Sequence, residues 1–271
     1  MIFIKPGYSC LKWGRERNER EKVGGVSLNI KNIDFLTNVY KYPEETKRKY
    51  KACPSVDDPV TFYCLISYEY RSLAETEWIL NNDFEKCAAD LYLYLLSQCR
   101  AYELYKQGIT ITNNAVKNAV LNKEWNSHLL YTAISLNETG AVGDCICTDC
   151  AVYSLLCGDT ERAEFFINKL PDNSDNNAVN FEDEVYLKKL LKAIIAGDET
   201  GFDREIAGRI KRLRQKNVGY LTIIDVTSAA LIKLARQYGI SYDRKFIEIP
   251  NGFLENININ KECLKLPDID L

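Results

Sequence analysis

The sequence predicts an all-α fold, an α-hairpin bundle of helical-repeat-like, tetratricopeptide-like kind. Three observations carry that prediction. Apolar residues recur at the three- and four-residue spacing of helix faces through most of the chain. Runs of β-branched residues are confined to two short, isolated places, 221–226 and 246–249. Finally, the pattern helix, Gly-Asp corner, helix occurs twice, at Gly158-Asp159 and Gly197-Asp198, 39 positions apart. Helical-repeat proteins have periods of roughly 34 to 47 residues. At each corner glycine can end one helix and aspartate can accept the free amides of the next. The chain reads as a single helical domain over 1–271.

In chain order, residues 1–27 form a weakly patterned N-terminal arm. Within it, 15–22 carry mixed charge without an apolar stripe, which predicts a solvated helical turn or a flexible arm. A short amphipathic segment follows at 32–40 (Ile33, Leu36, Val39, Tyr40), and Tyr42-Pro43-Glu44-Glu45 restarts a helix with proline in its first turn. Asp57-Asp58-Pro59 supplies an N-cap for one long helix through Phe62, Leu65, Ile66, Leu73 and Trp78 to Leu80, with Arg71-Ser72 as the place where it could kink. Asn82-Asp83 caps the next, whose stripe is Phe84, Cys87, Ala88, Leu91, Leu95 and Tyr102, and which stops at Gly108. Asn113-Asn114 opens a helix through Val116, Val120 and Trp125 toward Leu136. Helices at 145–157 and 160–169 flank the first Gly-Asp corner, and helices at 184–196 and up to Lys216 flank the second. A last helix at 227–238 (Ala230, Leu231, Leu234, Ala235) is stopped by Gly239.

Composition narrows the function. Lys and Arg number 35 against 38 Asp and Glu, a net charge of -3, so the basic excess of a dedicated nucleic-acid binder is missing. The single histidine, His128, excludes any site that needs two. His128 follows Trp125 on a helix and reads as structural, since no catalytic motif accompanies it. Gly24-Gly25 has neither the spacing nor the Lys-Ser/Thr ending of a phosphate-cradling loop. Neither an export signal nor a membrane-spanning run is legible, so the ten cysteines read as reduced thiols of a cytoplasmic protein.

Four features invite a functional reading. Cys145, Cys147, Cys150 and Cys157 could bind a metal, but Cys150, Tyr153 and Cys157 share one helix face, which predicts core packing and no metal or other cofactor. The basic run Arg204, Arg209, Lys211, Arg212, Arg214, Lys216 includes Asp203 and Glu205 and no interleaved aromatic residue, so it predicts a solvated helix face. The 17 tyrosines suit either interface anchors or half-buried helix positions. The loop 171–184 carries Asp172, Asp175, Glu182, Asp183 and Glu184 with no Lys or Arg. It reads as a solvated connector whose last acids sit at a helix N-terminus, or as an acidic surface that attracts a basic protein.

Residues 125–254 carry a resemblance. Trp125 precedes a long helix, and Leu155-Leu156-Cys157-Gly158-Asp159 is followed by Ala163. Ile194-Ile195-Ala196-Gly197-Asp198 comes next, then the run from Ala230-Leu231-Ile232-Lys233-Leu234 through Ala235-Arg236-Gln237-Tyr238-Gly239-Ile240, and Ile249-Pro250-Asn251-Gly252-Phe253-Leu254. This region resembles the immunity protein 49 family of bacterial polymorphic toxin systems. The resemblance implies an all-helical protein that binds and neutralises a toxin domain delivered by a competitor or sibling cell. The expectation is therefore a non-enzymatic cytoplasmic protein whose partner is a cognate toxin, with no direct contact to nucleic acid or membrane. Toxin nucleases are commonly basic because they bind a polyanion, which places Asp172, Asp175, Glu182, Asp183 and Glu184 at the expected interface. The alternative is a helical-repeat scaffold for cellular proteins.

Overall fold

The computed structural model describes residues 20–23, 26–29, 41–52, 58–109, 111, 124–138, 147–172, 181–216, 223–255 and 257–267. They form nine helices: α1 (Tyr42–Ala52), α2 (Pro59–Ile79), α3 (Phe84–Lys106), α4 (Glu124–Ser135), α5 (Cys147–Leu156), α6 (Thr160–Ile167), α7 (Phe181–Ala196), α8 (Glu199–Lys216) and α9 (Val226–Gln237). The fold is all-α, as the periodicity predicts. The arm differs from its expectation: β1 (Arg20–Val23) pairs antiparallel with β2 (Val26–Asn29), Val23 opposite Val26. A Gly-Gly dipeptide between two such runs is a hairpin signal, and it outweighs the mixed charge that suggested a helical turn. The segment at 32–40 and the first part of the helix expected from Asn113 lie outside the described residues. The chain divides into two compact units: Met1–Leu121 with Lys216–Ile224 and Asn258–Leu271, and Asn122–Gln215 with Asp225–Ile257.

The first unit is built on α2 and α3. Asp58 caps α2, its Oδ1 accepting from Thr61 N at 2.9 Å and its Oδ2 from Thr61 Oγ1 at 2.6 Å, and Pro59 occupies the first turn where no amide is needed. Asn82 turns the chain with φ 51°, and Asp83 then caps α3 by accepting from Lys86 N at 3.1 Å. Phe62, Ile66 and Ala74 on α2 and Cys87, Leu91, Leu95 and Leu104 on α3 are buried. A polar tie crosses between the two helices: Gln98 Nε2 donates to Ser67 Oγ at 2.5 Å, and Ser67 Oγ donates to Cys64 O at 2.6 Å. A buried polar group without a partner costs about 1–3 kcal/mol, so this tie fixes how the two helices face each other.

In the second unit both Gly-Asp corners form as expected. Gly158 and Gly197 adopt φ values of 76° and 64°, Asp159 accepts from Arg162 N at 3.0 Å, and Asp198 accepts from Gly201 N at 2.9 Å. The α5–α6 hairpin closes over Ala163, Ala151, Val152 and Leu155, all buried. In the α7–α8 hairpin, Tyr186 lies against Gly208 and Arg212, across the corner at Gly197. α9 packs on α4: Ser135 Oγ donates to Val226 O at 2.8 Å, and Lys233 Nζ donates to Ser135 O at 2.5 Å and Asn137 Oδ1 at 2.7 Å. Lys233 thus satisfies carbonyls that the end of α4 leaves free. Downstream, Arg236 donates to Tyr242 O and Leu254 O, holding the turn Asn251–Leu254 that buries Phe253. The run 246–249 makes only an isolated bridge, Phe246 to Ile249, and Val226 at the end of the other β-branched run opens α9.

Candidate functional site

The acid-rich stretch leaves α6 and enters α7. Asp172 is 79% exposed at its side chain, and its Oδ1 lies 2.8 Å from the Nζ of Lys188, a buried residue of α7 that also donates to Leu170 O. Lys188 hydrogen-bonds and attracts the carboxylate, which holds the Asp172 pKa below its usual value. The sequence shows no base within 171–184, yet the helix that follows brings one to the first of its acids. Glu184 is half-buried on α7, and burial raises its pKa. Glu182 and Asp183 belong to the first turn of α7, where negative charge complements the helix dipole. Their side chains, and Asp175 altogether, lie outside the described residues.

Just upstream, the α5–α6 hairpin turns aromatic side chains outward. Tyr153 is 49% exposed and Phe165 56% exposed. Phe165 meets Phe166 edge-on, ring centroids 5.3 Å apart, and Lys169 Nζ sits 4.0 Å from the Phe165 centroid. This overturns the expected core role of the cysteine face. Cys157 is exposed and Cys147 and Cys150 are only half-buried, while the buried face of α5 is Thr148, Ala151, Val152 and Leu155. Two stripes of helical spacing compete on α5, and the one with Ala151, Val152 and Leu155 goes inward. The exposure of Phe165 has a signal in the sequence: it falls off the stripe Ala163, Ile167, Leu170, on the polar side of α6.

The basic run is also more than a solvated face. Arg209 is buried and meets Asp225 with two hydrogen bonds, Nε to Oδ2 at 3.1 Å and Nη2 to Oδ1 at 3.3 Å. Asp225 caps α9 as well, accepting from Ser228 N at 3.1 Å and Ser228 Oγ at 2.5 Å. Burial acts to raise the Asp225 pKa, but the Arg209 charge and these hydrogen bonds prevail and hold it below the usual value. One turn along α8, Arg214 grips buried Glu248 through Nε at 2.5 Å and Nη2 at 2.9 Å, and Asp225 N donates to Glu248 O at 2.7 Å. Arg212 lies 5.1 Å from the Tyr186 ring centroid, an aromatic neighbour supplied by another helix and therefore invisible in the run itself.

The first unit holds acids partly or wholly out of water: Glu75 is buried, and Glu69 and Asp90 are half-buried. Glu75 accepts from Ile223 N at 3.1 Å and lies 3.8 Å from Arg71 Nε, yet burial pushes its pKa up to about 8. Burial likewise raises Glu69, hydrogen-bonded by Thr46 Oγ1, to about 7 and Asp90 to about 7. None of these residues stood out in the sequence, because a glutamate inside a helix pattern looks the same whether it faces water or a neighbour.

Among the described residues, no three His, Cys, Asp or Glu side chains gather as metal ligands, and no helix is long and apolar enough to cross a membrane. His128 and Trp125 lie on α4 with side chains outside the described ones. Of the tyrosines, Tyr63, Tyr70, Tyr94, Tyr131 and Tyr242 are buried, whereas Tyr68 and Tyr153 are exposed. Comparison of the chain with family models, with curated proteins and with solved structures finds no match.

Proposed function

We propose that this protein is a cytoplasmic immunity protein that neutralises a cognate toxin domain by binding and covering it, without catalysis. The observation that carries the reading is the use made of charge in the second unit. Its ion pairs cap a helix and tie segments together, buried Arg209 with Asp225 and exposed Arg214 with buried Glu248, while Asp172 of the acid-rich stretch stands at the surface. A helical frame that shows a carboxylate where an acid-rich stretch begins suits a stoichiometric inhibitor of a basic protein. Such an inhibitor acts by occlusion, with an interface of standard size, about 1,600 Å² in total. The resemblance of 125–254 to the immunity protein 49 family supports the same reading, and the residues that carry it here build corners and the turn that buries Phe253.

A second reading, a scaffold for cellular proteins, is favoured by the repeated Gly-Asp corners alone. Gene context and co-expression separate the two. The protein encoded immediately upstream is expressed with and without this chain. Growth arrest by the upstream protein, relieved by this chain with both co-eluting as one complex, is the expected result. Arrest that persists with no complex contradicts the immunity reading.

A further inference from the structure

We propose that Glu75 is a pH-operated latch on the segment that leads into α9: its protonated carboxyl holds Ile223 to α2, and its ionisation lets that segment open to water. Glu75 is 2% exposed, and its Oε1 accepts from Ile223 N at 3.1 Å. The contact joins a helix to a run without regular structure, residues 223–225. Groups from α2, α3 and the segment face the carboxyl. α2 supplies the Arg71 guanidinium, its Nε 3.8 Å from Oε1, and the segment supplies the amides of Ile223 and Ile224. α3 supplies the buried Cys87 thiol, near enough to feel the Glu75 charge, as it feels those of Asp90, Glu77 and Asp83. The same Arg71 also lies 5.8 Å from the ring centroid of Tyr94 on α3.

Geometry decides which form of the carboxyl the fold holds. At 3.8 Å the guanidinium lies beyond hydrogen-bond reach, so an ionised Glu75 recovers little of the hydration it gives up. Asp225 is the contrast within the same chain. It is also buried, but Arg209 gives it two hydrogen bonds, at 3.1 and 3.3 Å, and its pKa lies below the usual value. At Glu75 burial prevails and pushes the pKa up to about 8. Once ionised, the group is relieved where the structure yields most easily. α2 and α3 are closed by packed side chains such as Phe62, Ile66, Leu91 and Leu95, whereas Ile223 is half-buried and lies outside any helix. Elements with few buried contacts open at the lowest cost. Opening there lets water reach the carboxylate and returns it toward its ordinary range. The latch is therefore closed while Glu75 is protonated and loosens as pH rises toward 8.

The test is amide hydrogen exchange of the full chain by NMR between about pH 5.5 and about pH 7.5, with each rate corrected for its intrinsic pH dependence. Ile223 is read against Leu91, a buried residue of α3, in wild type and in Glu75→Gln, which keeps an acceptor but cannot ionise. In wild type the Ile223 amide is expected to be less protected than Leu91 throughout and to lose about tenfold in protection per pH unit. In Glu75→Gln its protection is expected to stay level with pH. If that variant does not fold, the side-chain carboxyl resonance of Glu75 is followed in wild type, where it should titrate at about pH 8 together with the Ile223 amide shift. Protection at Ile223 equal to that at Leu91 overturns the latch, because the segment then opens only with the whole unit. A level profile in wild type, an equal fall in Glu75→Gln, or a Glu75 titration in the ordinary carboxylate range overturns it too.

Discussion

Loss of the Arg209 guanidinium leaves the Asp225 carboxylate buried, with Ser228 as its remaining side-chain partner. Breaking a buried pair from one side costs about 3–5 kcal/mol, because the surviving charge stays out of water. Arg209→Ala is therefore expected to lower stability by about that much in urea unfolding; a loss of less than about 1 kcal/mol would match an exposed pair instead. The buried and half-buried acids of the first unit predict a pH dependence. Glu75, Glu69 and Asp90, with pKa values raised to about 8, about 7 and about 7, bind more protons folded than unfolded. Their contribution is greatest below the ordinary carboxylate range and declines as pH rises toward 8. Glu75→Gln keeps an acceptor for Ile223 N but cannot ionise, so its urea midpoint should fall less than wild type between pH 5 and 8; an equal fall contradicts the assignment. Asp225 works in the opposite sense, its contribution being present at neutral pH and lost as pH drops below the usual carboxylate range. The thiols give a third check. Burial pushes Cys64 and Cys87 well above the ordinary thiol range, and both are enclosed, whereas Cys157 and Cys263 are exposed. A disulfide reagent should modify Cys157 and Cys263 in the native protein and reach Cys64 and Cys87 only on unfolding.

At the scale of elements, the corners are the most legible part of the chain. Glycine at φ 76° or 64° followed by an aspartate cap is a local device, complete within a few residues, so the sequence alone locates it. Gly158→Ala and Gly197→Ala force a side chain into the left-handed region and should each cost about 1–2 kcal/mol. Thermal midpoints unchanged by either would show that the corner relaxes without strain. Caps at Asp58, Asp83 and Asp225 were within the same kind of reach, though Asp225 hides inside a run that reads as β-branched. What a helix faces is less legible. α5 offers two stripes and the aliphatic one goes inward, leaving Tyr153 and Cys157 exposed. Arg209 looks like any cation of a basic helix until Asp225, sixteen positions later, is folded against it. Pairings of that kind depend on tertiary placement, which spacing along one helix does not encode.

For the whole molecule, the acid-rich stretch makes a prediction about binding. On the immunity reading proposed above, replacing Asp172, Asp175, Glu182, Asp183 and Glu184 by Asn or Gln should slow association with the toxin and flatten its salt dependence, since rim charges act on encounter more than on lifetime. Asp172 should contribute less than an unpaired acid would, being already paired with Lys188. Fold stability should fall only slightly, through the acids at the N-terminus of α7. The measurement that tests the proposed immunity role most directly is the association of purified full chain with the protein encoded immediately upstream, the proposed toxin, followed in real time at low and at physiological salt. The account predicts a stoichiometric complex whose association slows as salt rises and whose formation silences the toxin. Absence of any complex, or a complex in which the toxin remains fully active, would contradict it.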